Sequence, residues 1–140
     1  MKIILYTVII AVLFTAPVHR LDVARLEPVE VVYMEQTAET IKIVTDTGAE
    51  GKGESVAEAL NDLKNSTAGV VYMDTADYLI VNDQAIDLIN DMKCLMKDSV
   101  RLCRAQDPEM KNVADYLNTH GNYPKLKEWN AGLNIPTLKR

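Results

Sequence analysis

Few side chains in the sequence are suited to chemistry, and they are widely spaced. Asp74 and Asp77 are two carboxylates three residues apart, which suits cation binding or acid–base chemistry. No histidine, cysteine or basic residue lies between Gly69 and Gln84 to complete such a site. The pair is therefore interpreted as a turn with local side-chain hydrogen bonds. The alternative is a small ligand-binding protein or enzyme that uses Asp74 and Asp77.

The other candidates for nucleophilic chemistry are Cys94, Cys103 and His120. They fall on three different predicted elements, whereas a Cys–His pair needs hydrogen-bond contact and a third group to orient the ring. The two cysteines match no zinc motif, so they are either buried free thiols or one disulfide in an extracytoplasmic body. The sequence therefore predicts no catalytic residue, no metal site and no cofactor, and a protein that is not an enzyme.

A glycine-rich segment, DTGAEGKG at residues 46–53, lies before the first predicted helix of the body. Glycine-rich loops at a helix N-terminus can bind phosphate through backbone N–H groups. This segment lacks the G-x-x-x-x-G-K-[ST] spacing and carries Asp46 and Glu50, which repel anions. It is interpreted as a flexible connection between a strand and a helix.

Charge is distributed unevenly along the 140 residues, whose net charge is −5. Residues 22–124 carry a net charge of −10, and the last 16 residues carry +3. An acidic body repels the phosphate backbone, which argues against nucleic acid as a partner. The basic end is interpreted as a solubilising or loosely packed tail.

An uncharged run at residues 3–18, IILYTVIIAVLFTAPV, follows Lys2 and precedes His19 and Arg20. As a helix it spans about 24 Å, somewhat less than the ~30 Å hydrocarbon core of a bilayer. Pro17 directly follows Ala16, the best cleavage position, so residues 1–20 are expected to remain as a signal-anchor. The alternatives are a cleaved signal peptide and a secreted protein, or a buried hydrophobic strand or helix. No cysteine follows the run, so a lipoprotein anchor is not expected.

The first half of the body is predicted to contain a hairpin followed by a helix. Residues 29–34 and 39–45 have the β-branched and alternating patterns of strands, joined by a short polar link. Ser55 and Glu58 form an S-x-x-E capping box at the start of the helix. The residues expected on its buried face are Val56, Ala59, Leu60 and Leu63.

The second half is predicted to alternate short strands with two more helices. Strands are expected at 70–73, 78–81 and 100–104. Asp83 is expected to cap the second helix. Asp107 and Pro108 are expected to begin the third helix, which Gly121 ends.

These elements predict an α/β or α+β fold with the order β-β-α-β(β)-α-β-α, after an N-terminal hydrophobic helix. The expected core is a small mixed sheet of about four to five strands with three helices. Residues 29–121 are expected to form one domain, and residues 122–140 an extended basic arm.

The segment GKGESVAEALNDL at residues 51–63 resembles the G-x-G-x-[ST]-hydrophobic-x-E-A-L-x-x-L segment of the spore germination receptor C-subunit family. The resemblance covers roughly residues 29–105. It implies the N-terminal domain of a membrane-attached protein on the outer side of the membrane. It implies no catalytic residues.

The expected function is that of a non-enzymatic, membrane-anchored, extracytoplasmic interaction or accessory module. Residues 3–18 are expected to hold it in the cytoplasmic membrane, with a protein partner in the envelope. The alternatives are a secreted ligand-binding protein or enzyme that uses Asp74 and Asp77, and an oligomer-forming envelope module.

Overall fold

A five-stranded mixed sheet forms the centre of the computed structural model, which describes residues 26–138. The strands are β1 (Leu26–Pro28), β2 (Val31–Thr37), β3 (Thr40–Thr45), β4 (Glu50–Gly53), β5 (Val70–Tyr72), β6 (Tyr78–Val81) and β7 (Arg101–Arg104). The helices are α1 (Val56–Ser66), α2 (Ile89–Lys93) and α3 (Val113–His120), and short 3-10 segments lie at Met73–Thr75, Asp83–Leu88 and Leu126–Glu128.

The sheet has the strand order β4-β3-β2-β6-β7. β3 is antiparallel to both β2 and β4, whereas β6 is parallel to both β2 and β7. The predicted hairpin is confirmed, with Thr37 opposite Thr40 and a two-residue turn at Ala38 and Glu39. The coarse prediction of a mixed α+β fold, with a sheet of about four to five strands and three helices, is also confirmed, and the sheet has five strands.

Two strand assignments differ from those predicted. The glycine-rich segment is not only a connection, because its second half forms β4 at the edge of the sheet. β5 does not join this sheet, but pairs in parallel with β1 in a separate two-stranded ribbon. Glycine has low strand propensity, and a β1–β5 pair joins residues more than 40 positions apart, so local patterns indicated neither feature.

Apolar side chains cover both faces of the sheet and define two cores. The first face packs against α1, the 83–93 segment and part of the C-terminal arm, through residues such as Met34, Ile43, Leu79 and Ile89. The second face packs against α3, through residues such as Tyr33, Ile80 and Leu117. The protein therefore has three layers, with the sheet between α1 and α3.

The start of α1 follows the predicted cap closely. Ser55 Oγ accepts a hydrogen bond from the Glu58 N–H at 3.2 Å. The Glu58 carboxylate accepts one from the Glu54 N–H at 2.9 Å, one residue earlier than a standard capping box requires. The predicted inner face is confirmed, since Val56, Ala59, Leu60 and Leu63 are all buried.

The caps predicted for the other two helices are wrong. The crossover after β6 begins with Asn82, whose side chain accepts from the Ala85 N–H, and its first six residues are 3-10 rather than α-helix. α3 begins only at Val113, because Asp107 and Asn112 adopt positive φ angles of 44° and 65° that interrupt a helix. The predicted end at Gly121 is confirmed.

The C-terminal arm lies along the outer edge of β7. The Leu102 and Arg104 N–H groups donate to the carbonyl oxygens of Pro124 and Pro136. Leu126, Trp129 and Ile135 are buried with the first core. The arm therefore satisfies backbone groups that an edge strand would otherwise expose.

No helix within residues 26–138 is long and apolar enough to cross a membrane. The predicted signal-anchor at residues 1–20 and its apolar run at 3–18 lie outside the described residues.

Two glycines let α1 lie directly on β4. A Cβ atom added to Gly51 would lie 2.1 Å from the Ala59 carbonyl oxygen and 2.4 Å from the Leu63 nitrogen. A Cβ atom added to Gly53 would lie 2.6 Å from the Ala59 nitrogen. These neighbours are backbone atoms, which cannot move without shifting the helix.

We expect Gly51→Ala to lower the free energy of unfolding by about 1–3 kcal/mol, because the new methyl group forces α1 away from β4. Urea denaturation measures the change. Gly132→Ala is the control, since the nearest atom to its Cβ is the Asn130 Oδ1 at 3.4 Å. Equal stability of the two variants would contradict the close packing of α1 on β4.

Candidate functional site

The three parallel strands begin at the same end of the sheet. We call this end, where the strands have their N-terminal residues, the amino edge. β2, β6 and β7 run in the same direction and begin at Val31, Tyr78 and Arg101. β1 leads into β2, and β5 leads into β6 through Met73–Thr75. The chain from residue 25 therefore enters the described body at this edge.

The β1–β5 ribbon is fixed to the amino edge by Thr75. The Thr75 hydroxyl accepts a hydrogen bond from the Val29 N–H at 2.9 Å, and its single proton can be donated to the carbonyl oxygen of Val29 at 2.9 Å or to that of Tyr72 at 2.8 Å. Lys97 reaches the same turn and donates to Asp77 Oδ1 at 2.7 Å. These bonds hold β5 beside the sheet without making it part of the sheet.

An exposed apolar groove lies between α1 and β5. The apolar groove has a volume of about 310 Å³ and is lined by Leu60, Lys64, Val70, Val71, Tyr72, Met73, Asp74 and Leu95. Val70, Tyr72 and Leu95 are 53%, 47% and 43% exposed, and they are the large apolar side chains of the described residues that stand open to solvent. Their collection in one groove is typical of a docking surface.

A second, polar cleft lies at the start of β6 and β7 on the amino edge. The cationic cleft has a volume of about 310 Å³ and is lined by Asp77, Tyr78, Ser99, Arg101, Asn118 and Lys125. The sheet contributes its ends, α3 contributes Asn118, and the C-terminal arm contributes Lys125. The cleft is therefore assembled from parts of the chain that are distant in sequence.

Tyr78 fixes the floor of the cationic cleft. Its hydroxyl donates to Asn118 Oδ1 at 2.9 Å and accepts from the Arg101 guanidinium at 3.1 Å. The guanidinium carbon lies 5.7 Å from the centre of the Tyr78 ring, within reach of a cation–π interaction. Tyr123 packs edge-on against the same ring, with 6.3 Å between centroids. Arg101 therefore has a defined orientation although it is exposed.

The structure separates the two carboxylates that were the first sequence candidates. Asp77 is exposed, lines the cationic cleft and pairs with Lys97. Asp74 is exposed and lines the apolar groove. Asp74 and Asp77 thus contribute to different surfaces. Within residues 26–138, no group of three or more His, Cys, Asp or Glu side chains is arranged to hold a metal ion.

Cys94, Cys103 and His120 lie in different layers. Cys94 follows α2 on the first face of the sheet, and His120 ends α3 on the second face, where its ring stacks on Tyr116 with 4.4 Å between centroids. Cys103 is buried in β7. Both cysteines are free thiols, and the expectation that both are buried is wrong for Cys94, which is exposed.

The opposite end of the sheet contains the carboxyl ends of the parallel strands, where α/β proteins usually bind ligands. Here the polar side chains at that end form hydrogen bonds and ion pairs within the protein. Asn82 is buried there, and its Oδ1 accepts from the Gln36 and Ala85 N–H groups while its Nδ2 donates to the Gln36 carbonyl. Arg104 pairs with Asp83 and donates to Thr137. These side chains hold the crossover and the arm in place.

Sequence reasoning missed both the apolar groove and the cationic cleft. Val70, Val71 and Tyr72 are all apolar, so the sequence showed no alternation that would have marked one face of this strand as open. Lys125 carried a weak signal for the cleft, as the first base of the tail. The sequence alone does not show which residues surround these positions in the fold.

Comparisons with protein-family models, with curated proteins and with solved structures found no match for the chain. The candidate site is therefore interpreted from its own geometry.

We expect the two thiols to differ greatly in reactivity. Burial raises the pKa of Cys103 to about 12, so at pH 8 it carries almost no reactive thiolate, whereas Cys94 is open to reagent. N-ethylmaleimide should modify one thiol of the native protein, at Cys94, and both after unfolding in urea. Mass spectrometry of the digested protein locates the adducts. Rapid labelling of Cys103 in the native state would contradict its burial in β7.

Proposed function

We propose that the protein is a non-enzymatic interaction module, anchored in the cytoplasmic membrane by residues 3–18, with its body on the extracytoplasmic side. The observation that carries this proposal is the position of the apolar groove on the edge where the chain enters the body. The resemblance of residues 51–63 to the spore germination receptor C-subunit family is consistent with it.

The length of the connecting chain limits where a partner can lie. Seven residues, 19–25, separate the apolar run from β1. An extended chain of that length spans at most about 25 Å. Because β1 pairs directly with β5, an anchor at residues 3–18 keeps the apolar groove close to the membrane surface.

The proposed occupant of the apolar groove is an apolar segment of another membrane protein, at the point where that protein leaves the bilayer. Val70 and Tyr72 present a wide apolar surface, and Lys64 and Asp74 give the groove a polar rim. An apolar centre with a charged rim is typical of protein interfaces. In the described residues β5 pairs only with β1, so no strand of this body is hydrogen-bonded along its other edge.

Retention of the anchor is tested by the mature N-terminus. We expect peptides that contain Met1 or Lys2 in digests of the protein purified from the membrane fraction, because Pro17 obstructs cleavage after Ala16. Mass spectrometry makes the measurement. A mature N-terminus near Pro17 or His19 would remove the anchor and support the secreted alternative.

Docking at the groove is tested by photo-crosslinking in cells. We expect benzoylphenylalanine in place of Tyr72 to form one discrete adduct, because this exposed ring lies in the groove. The matched control replaces Glu39, which is exposed in the β2–β3 turn at the opposite edge of the sheet. Leu95→Asp should abolish the Tyr72 adduct by placing a charge in the apolar contact.

Mass spectrometry of the adduct separates the possible occupants. A different protein with its own membrane spans supports the proposal. A second copy of this chain would support the oligomer-forming module instead. No adduct at position 72, or equal adducts at positions 72 and 39, would contradict docking at this groove.

A further inference from the structure

The cationic cleft contains two positively charged side chains, Arg101 and Lys125, that form no ion pair with the described carboxylates. Arg101 and Lys125 face each other in an antiparallel bridge, so their side chains leave the backbone side by side. Among the ion pairs of residues 26–138, none within 4.0 Å includes Arg101 or Lys125. Like charges at opposed positions repel each other, so this arrangement costs stability unless an anion lies between them.

Asp77 and Glu128, which lie in or beside the cleft, make other contacts. Asp77 lines the cleft, but its Oδ1 pairs with Lys97 at 2.7 Å. Glu128 accepts from the backbone N–H of Lys125 at 3.0 Å rather than pairing with its ammonium group. Residues 22–124 carry a net charge of −10, so two cations without an ion-pair partner in one cleft stand out from the acidic body around them.

The neutral groups of the cleft add hydrogen-bond donors. Asn118 accepts from Tyr78 at its Oδ1, which leaves its amide N–H groups for a ligand. Ser99 adds a hydroxyl that makes no hydrogen bond within the described residues. Donors from β7, α3, the arm and the turn before β7 surround the space from several directions. Such a set suits a tetrahedral oxyanion better than a planar carboxylate.

We propose that the cationic cleft binds a phosphate group. Arg101 and Lys125 supply the charge, and Ser99 and Asn118 supply further hydrogen bonds. A phosphate monoester carries about −1.5 to −2 charges at pH 7, which matches two cations. The phosphate belongs either to a soluble monoester or to a lipid headgroup. The site depends on its own geometry and does not require the apolar groove to bind a partner.

The test is isothermal titration calorimetry, in which inorganic phosphate is added to the full chain in a non-ionic detergent. We expect saturable binding that weakens with added sodium chloride, since ions screen the exposed cations. Lys125→Met should weaken the affinity by about tenfold or more, because it removes one charge-assisted hydrogen bond. Lys127→Met is the matched control, with the same charge change two residues away and outside the lining of the cleft.

A second measurement separates lost binding from lost folding. Without phosphate, Lys125→Met should melt at the same temperature as the original protein or higher, because it relieves the repulsion with Arg101. The proposal is overturned by the absence of saturable phosphate binding to the original protein. It is also overturned if Lys127→Met weakens binding as much as Lys125→Met.

Nanodiscs distinguish the two sources of phosphate. If a lipid headgroup occupies the cleft, the apparent affinity for added phosphate should fall in discs that contain phosphatidic acid, whose headgroup is a phosphate monoester, relative to discs of phosphatidylcholine alone. Equal affinity in the two discs assigns the cleft to a soluble phosphate. This titration does not involve the Tyr72 adduct, so either proposal can fail while the other stands.

Discussion

The contact between the backbone of α1 and the backbone of β4 determines how the rest of the protein is arranged. Gly51 and Gly53 leave no side chain between strand and helix, so α1 lies against β4 with no room for a Cβ atom at either position. The helix then covers β3 and β4 and presents Leu60 and Lys64 toward β5, where they form one wall of the apolar groove. The glycine-rich segment therefore has a packing role, and its spacing in residues 51–63 follows from the fit of a capped helix on a strand.

Local signals in the sequence predicted the parts of the fold that depend on neighbouring residues. The hairpin, the cap at Ser55 and the inner face of α1 each rest on patterns a few residues long, and the structure confirms them. β4 was missed because its glycines meet a helix, a constraint that propensity does not express. The start of α3 was misplaced because Asp107 adopts a left-handed conformation, although Asp-Pro usually favours a helix start.

The candidate sites were less predictable than the fold, because both join distant segments. The apolar groove needs α1, β5 and the chain after α2 at one place, and the cationic cleft needs β7, α3 and the arm. The sequence favoured a simple turn at Asp74 and Asp77 and left a joint chemical role as the alternative, and the turn between them sends one toward each surface. Two independent features, apolar exposure and uncompensated positive charge, thus lie at the amino edge, where the chain enters. Because both features lie at the end of the body that the anchor would hold near the bilayer, we propose a module that works close to a membrane.

The most direct test of that account is the side of the membrane on which the body lies. The experiment places one reactive thiol at the exposed β2–β3 turn, as Glu39→Cys in a Cys94→Ser background, and treats intact protoplasts with a membrane-impermeant maleimide. The Cys94→Ser protein without the new cysteine is the control, because it measures any labelling of the buried Cys103. The account predicts that the Glu39→Cys protein is labelled equally before and after lysis. Labelling only after lysis would place the body in the cytoplasm and contradict it.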